Sequence, residues 1–448
     1  MDRQAEIDIS YKGLIRVALP IALGTFVQFL MVFTDNFFLS KVTMNALNGA
    51  GISAMIYVTL SMFIIGLASG EQILVARRNG EKRLKEAGEV FGNALVISLF
   101  LSVALFILMQ TLLHTFLSVF VQSEHVLDHT FRFLDIRSIG IFFYGTSLIF
   151  IGFYIGIASS KVLLYTTLIT AGVNIFLDWA LIFGNAGFPE LGLEGAAWAT
   201  VTAEICSLVY LVGYAVWHKS SKSYSLLQGL THLKWGIVRS LSKVSFPIMI
   251  QQVLALATWT AFFLIVEKLG EKELMASNIV RNMYLLIFVA LMGVSQTTKT
   301  YISTLIAEER QAVLGLAMKR LLVINICGVL ILSHGLWLYP GAIASLFTQD
   351  PETFELTRLS LIFVVPAMFI ACFSSVLLNT IEGSGRTIIA LAIEAVAVVI
   401  YINIAWYLCV TNPQPIHIVW MSDYIYFGTI ALLGYAFLKK GTWKYNKI

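Results

Sequence analysis

Charge is scarce in this chain. Asp, Glu, Lys and Arg make up 12% of its 448 residues, about half of the ~25% usual in a soluble globular domain, and the mean hydropathy is +0.82. That shortage excludes a soluble enzyme and a disordered scaffold. Cysteine is scarce too: Cys206, Cys327, Cys372 and Cys409 all lie within apolar blocks, with no CxxC or Cys/His spacing. Neither a disulfide framework nor a zinc site follows from them. The seven histidines are scattered and form no His/Asp constellation of the kind a membrane-embedded transferase needs. The net charge of +4 is too small to point to nucleic acid.

What is abundant is apolar sequence, 58% of the chain, gathered into blocks of 17 to 25 residues. Each block can cross a hydrocarbon core of about 30 Å as a helix, and the blocks do not alternate as barrel strands would. The expected spans are 14–39, 47–76, 90–112, 134–156, 161–184, 193–217, 244–266, 276–298, 317–339, 358–381, 387–410 and 421–437. The fold class is therefore an all-α polytopic membrane protein. The block after Arg16 lacks a small-residue cleavage site and reads as a span.

Twelve spans place both termini on one side. Of the 30 Lys and Arg residues, with those near span ends counted to the adjoining side, 23 then fall on the side of the termini, 6 on the other, and one, Arg281, within the eighth span. The positive-inside rule makes the termini cytoplasmic and the protein a multi-pass resident of the inner (plasma) membrane. The basic runs Arg77 to Lys85 and Lys219 to Lys243 read as topology signals and lipid-headgroup contacts.

The longest polar stretch falls near mid-chain and divides a lobe over 1–217 from a lobe over 244–448 through a cytoplasmic linker, 218–243. The lobes resemble each other. A shift of 227 residues pairs Pro20 with Pro247, Ile52 with Ile279, Tyr57 with Tyr284, Gly66 with Gly293 and Arg83 with Arg310. Near the ends a shift of 225 pairs Asp178 with Asn403. Two pseudo-symmetric six-helix lobes of the same orientation are the architecture of a secondary transporter. A major-facilitator protein would also have them, but its Gly-x-x-x-Asp-Arg-x-Gly-Arg loop after the second helix is absent.

A carboxylate within a span costs several kcal/mol and is read as functional by default. Asp35 sits late in the first span, between Thr34 and Asn36 with apolar runs on both sides of them, and Asp178 in the fifth, four residues after Asn174. On a helix that spacing puts amide and carboxylate on one face, a turn apart, where they can offer oxygens to a proton or a sodium ion. A structural polar contact is the plainer alternative. The counterpart of Asp35 is Phe262 and that of Asp178 is Asn403, which assigns ion coupling to the first lobe. Glu71, close to the basic run at Arg77, is expected to snorkel to the cytoplasm. Glu204 and Glu394 are isolated within their spans. Arg281 has two readings, gating or substrate contact and an outer-face salt bridge. Pro20 removes a backbone hydrogen bond and bends the first helix. Gating or cavity roles are expected of Pro20, Gln28, Arg281 and Asn403.

The residues from Asn174 to Thr200 resemble the multidrug and toxic compound extrusion (MATE) transporters. There Asn174 and Asp178 precede Leu181-Ile182-Phe183-Gly184, and Gly192, Gly195-Ala196-Ala197 and Ala199-Thr200 follow. Pro20 with Asp35, Leu74-Val75-Ala76-Arg77 with Gly80-Glu81, and Glu382-Gly383-Ser384-Gly385-Arg386 match further family features. The resemblance spans essentially the whole chain. It implies a proton- or sodium-driven antiporter, working as a monomer, that exports bulky, often cationic, organic compounds with no cofactor. Acids in the first and fifth helices make it most similar to the DinF branch, whose cation site matches Asp35, Asn174 and Asp178 with Thr200, or Thr202 by looser alignment. Those residues would hold sodium if sodium is the coupling ion. Two departures are Ile157 to Lys161, in place of a glycine-rich loop, and Arg77, where many members have glutamine. The alternative within the superfamily is a flippase or exporter of lipid-linked precursors or metabolites, which would need a cationic cavity.

Overall fold

The structure, a computed structural model, describes residues 6–120, 123–218, 222–226, 233–446 and 448. Every regular element among them is helical, and twelve helices are long and apolar enough to cross a membrane. Numbered by span, they are α1 Tyr11–Leu39, α2 Met44–Gly80, α3 Leu84–Gln110, α4 Glu124–Gly156, α5 Lys161–Phe183 and α6 Leu193–Trp217. The second six are α7 Trp235–Val266, α8 Glu271–Ala307, α9 Leu314–Leu338, α10 Pro351–Gly383, α11 Thr387–Trp406 and α12 Ser422–Lys439.

Each expected span lies on one of these helices, but several helices overrun it. The 37 residues of α2 rise about 55 Å at ~1.5 Å per residue, nearly twice the hydrocarbon thickness. Hydropathy marks where a helix leaves lipid; it does not mark where the helix ends. The expected linker shows the same effect: 235–243 already belong to α7, and residues 219–221 and 227–232 of it lie outside the described residues. Side-chain caps start three helices: Thr43 accepts from Ala46 N–H, Ser123 from Val126 N–H, and Asp350 from Thr353 N–H.

Packing divides the chain into two compact units, Leu23–Met249 and Met1–Ala22 with Ile250–Ile448. In the first, α4 packs on α2, α3 and α6, and α5 on α6; in the second, α10 packs on α8, α9 and α12, and α11 on α12. Each pairing recurs six helices later. The boundaries fall within α1 and α7, just after Pro20 and Pro247, both of which the helices carry internally.

The opening part of α7 therefore belongs with the first unit, and that of α1 with the second. A Cβ on Gly66 would come within 2.6 Å of Met249 Cα, and one on Gly293 within 2.6 Å of the Ala18 carbonyl oxygen and 2.9 Å of Ala22 Cβ. Gly66 and Gly293 are repeat partners, as are Ala22 and Met249. Both units thus seat a helix directly against a glycine that no larger residue can replace without displacing backbone.

The repeat diverges at the positions that carry charge. Phe262, the counterpart of Asp35, is fully buried in an aromatic cluster, its ring 5.6 Å from Tyr401 and 5.1 Å from Trp420.

Candidate cation site in the first unit

Three helices of the first unit, α1, α5 and α6, carry the predicted site residues. Asp178 and Asn174, one turn apart on α5, are both 0% exposed. Asp35 on α1 lies near enough to Asp178 for the two carboxyl groups to act on each other. Asn174 Nδ2 donates to Thr200 Oγ1 on α6 at 3.4 Å, and Thr200 Oγ1 donates to the Ala196 carbonyl at 3.0 Å. Asp35 Oδ1, both carboxylate oxygens of Asp178 and Asn174 Oδ1 are buried and accept no hydrogen bond from a described donor. A buried acceptor without a donor is costly. Two ionised carboxylates cannot satisfy each other, because neither carries a proton. A proton shared by the pair, or an oxygen-seeking cation such as sodium, satisfies this donor set.

Thr202 is placed differently. Two residues beyond Thr200, it is turned about 200° around α6, away from the side that meets Asn174. Asn403 is exposed and donates to the Val399 carbonyl of its own helix at 2.7 Å. Gln28 is exposed, two turns before Asp35 on α1. Arg281 is half-buried with its guanidinium 5.0 Å above the Phe263 ring, and it forms no ion pair among the described residues. The outer-face salt bridge read from its neighbourhood is replaced by a cation–π contact.

Counting charge along spans missed the strongest electrostatic feature of this unit. Arg137 on α4, counted among the outer-side basic residues although it falls within the expected span 134–156, is 8% exposed, and its Nη1 donates to Glu204 Oε1 on α6 at 3.0 Å. Its guanidinium lies 4.0 Å over the Tyr57 ring of α2, and its charge reaches Asp35. Glu204 is therefore not isolated. Gly140, one turn after Arg137, makes room for the pair: a Cβ there would fall 2.4 Å from Glu204 Oε2 and 3.0 Å from Arg137 Nη1. The detectable signal was the position of Arg137, thirteen residues into a helix capped at Ser123. Glu71 does not snorkel; it is 0% exposed and neither carboxylate oxygen has a hydrogen-bond partner.

Basic and acidic residues are also buried in the second unit. Lys299, assigned to the cytoplasmic face by hydropathy, lies within α8 at 4% exposure and pairs with Glu382 of α10 at 2.9 Å. Glu394 accepts from Gln251 and Tyr426, so it is not isolated either.

Twelve spanning helices in two repeats, with charged groups buried inside them, define a membrane transport protein. The MatE family model matches residues 20–180 and again 247–407, offset by 227 residues at both ends, and the chain belongs to that family. It is similar to the "Probable multidrug resistance protein NorM" of Thermotoga maritima, 23% identical over 389 residues, covering 86% of this chain and 83% of that protein. The protein of the same name from Synechocystis sp. is 27% identical over 385 residues, covering 83% and 79%. Among solved structures, an outward-facing multidrug resistance MATE family transporter of the MOP superfamily has a TM-score of 0.89 at 17% identity, covering 98% of this chain and 97% of that one. A MOP superfamily transporter from Pyrococcus furiosus has a TM-score of 0.88 at 18% identity, covering 96% and 95%. These likenesses show the fold. The protein is a multi-pass membrane transporter, not an enzyme.

Proposed function

We propose that this protein is a cation-coupled antiporter that exports organic compounds, cationic or amphipathic, from the cytoplasm. The observation that carries this reading is the Asp35–Asp178 pair, whose buried oxygens lack donors. The coupling ion is a proton or a sodium ion, held by Asp35 and Asp178 with Asn174 and Thr200. The names of the relatives support a broad, drug-like substrate range. Acids on α1 and α5 support a DinF-type arrangement, and the excess of basic residues on the side of the termini supports cytoplasmic termini in the cell's inner membrane. The placement of every residue of the proposed site in one chain supports a functional monomer.

Charge couples the two flows. With the pair ionised, the first unit is negative and attracts a cationic compound; with a proton or sodium ion bound, that attraction weakens and the compound leaves. One ion moving inward down 100 mV supplies about 2.3 kcal/mol, enough to sustain an outward gradient of roughly fifty-fold for an uncharged compound; a monovalent cation leaving against the same potential costs as much, so its export draws on the ion's concentration gradient or on a second ion. A flippase would need a cationic cavity, whereas Arg137 and Lys299 are each paired with a glutamate and Arg281 lies against the Phe263 ring.

Efflux of a cationic dye from proteoliposomes, under proton and sodium gradients imposed separately, tests this. Efflux driven by one gradient and lost in Asp35→Asn is expected; efflux indifferent to both gradients overturns the reading.

A further inference from the structure

Five helices of the second unit converge on a buried polar network distinct from the aspartate pair. Gln251 of α7 donates through Nε2 to Glu382 Oε1 of α10 at 3.0 Å and to Glu394 Oε2 of α11 at 2.6 Å. Lys299 Nζ of α8 lies 2.9 Å from Glu382 Oε2. Tyr426 of α12 donates its hydroxyl to Glu394 Oε1 at 3.1 Å. Gln251, Lys299, Glu382 and Glu394 are 7%, 4%, 3% and 5% exposed.

The charges do not balance. Two carboxylates face one ammonium, so the fully ionised network buries a net negative charge, which a low-dielectric interior strongly disfavours. Among the described residues, Lys299 is the one cation that acts on Glu394. Beyond Tyr426 come Tyr401, whose ring is 5.4 Å away, and the acidic Asp423, which acts on the Tyr426 hydroxyl. Both amide hydrogens of Gln251 are already committed, one to each carboxylate, holding the two acids close together. Gln251 Oε1, on the same amide, is buried and has no hydrogen-bond partner. Turning that amide over would set Oε1 against a carboxyl oxygen, a contact that only a protonated carboxyl can satisfy.

We propose that Glu394, with Glu382, Gln251, Lys299 and Tyr426, forms a second ion-binding site whose ligand is one proton. Lys299 selects the proton over a metal cation. Its ammonium already occupies the cationic position beside Glu382 and repels another charge, whereas a proton on Glu394 converts a carboxylate into a neutral group. The site requires nothing of the aspartate pair and stands whether or not that pair couples transport.

Infrared spectroscopy of the purified full-length protein in lipid, from about pH 5 to about pH 9, reads it through the carbonyl stretch of protonated carboxyl groups. Glu394→Gln is expected to lose one such band relative to the parent. Glu382→Gln, which leaves one ammonium facing one carboxylate, should lose it too. Lys299→Met, which leaves two carboxylates and no cation, should gain a second. Asp35→Asn should leave the band in place. A Glu394→Gln spectrum that superimposes on the parent's across the whole range overturns the proposal, because it means that Glu394 stays ionised as a fixed structural acceptor. A band that survives Glu382→Gln overturns it as well.

Discussion

Arg137 Nη1 donates to Glu204 Oε1 across 3.0 Å inside the first unit, with 10% and 8% of the two side chains exposed. Arg137 is a resident positive charge whose field reaches Asp35 and which Glu204, on another helix, compensates. Breaking a buried pair from one side leaves an uncompensated charge, whereas removing both members does not. Glu204→Gln should therefore destabilise the protein by about 3–5 kcal/mol, and Arg137→Met with Glu204→Gln by much less. Thermal unfolding in detergent measures both. Equal destabilisation by the single and double variants would show that the pair contributes through packing alone.

Asp35→Asn and Asp178→Asn each keep side-chain volume and remove an ionisable group. Each should reduce ion-driven efflux to the level of protein-free vesicles while folding and insertion are retained. Asn174→Ala should weaken coupling less, because it removes a neutral oxygen and leaves both acids in place. Vesicle efflux at matched protein content decides; two aspartate variants that export like the parent would remove the first-unit site from the coupling cycle.

Twelve spans, the repeat offset, and the acids Asp35 and Asp178, with Asn174 a turn from the latter, were legible because each is a local property: an apolar run, a recurring residue pattern, an acid within an apolar run; the grouping of Asp35 with Asp178 came from the family resemblance. Arg137 and Lys299 were illegible for a common physical reason. Hydropathy treats a charge near the end of an apolar run as the edge of the membrane, yet α4 and α8 continue as helix well past both residues. What lets these charges stay buried is Glu204, 67 positions from Arg137, and Glu382, on a different helix from Lys299. A pairing made across the fold has no signature in either segment. Gln251 was missed because an amide four residues after a proline carries no charge to flag it.

With Arg137 and Lys299 moved into the spans, basic residues stand 22 to 5 in favour of the side of the termini. Cysteines introduced near Lys82 or Lys222 should thus react only with reagents that enter the cytoplasm, and those near Glu190 or Pro351 with impermeant reagents outside. Labelling of position 82 in intact cells would invert the orientation and with it the direction of transport.

Asp350, outside the spans, caps α10 by accepting from the backbone N–H of Thr353 at 2.9 Å and its hydroxyl at 2.7 Å. These bonds, the backbone one first, with the Lys272 ammonium adding to them, hold its carboxyl below the usual carboxylate value. A depressed folded value means that the cap contributes fully above the unfolded pKa of about 3.9. The contribution is lost as pH falls through the folded value. Hydrogen exchange at the first turn of α10 should accelerate in acid for the parent, while Asp350→Asn, which keeps an acceptor without a titrating group, should show no such pH step.

Thr200 and Thr202 offer a test of the site's geometry that leaves every charge in place. Thr200 Oγ1 accepts from Asn174 Nδ2, and that contact fixes the amide with its nitrogen toward α6 and its buried oxygen left without a described donor. Thr202 is about 200° around the same helix. Replacing either with valine preserves shape and removes one hydroxyl. Thr200→Val should raise the ion concentration needed for half-maximal efflux several-fold with little change in the maximal rate, because it loosens one ligand without removing an acid. Thr202→Val should match the parent in both. Dye efflux measured across a series of imposed ion gradients separates the two, and a larger effect at 202 than at 200 would mean that the ion is held on the other side of α6, away from Asn174.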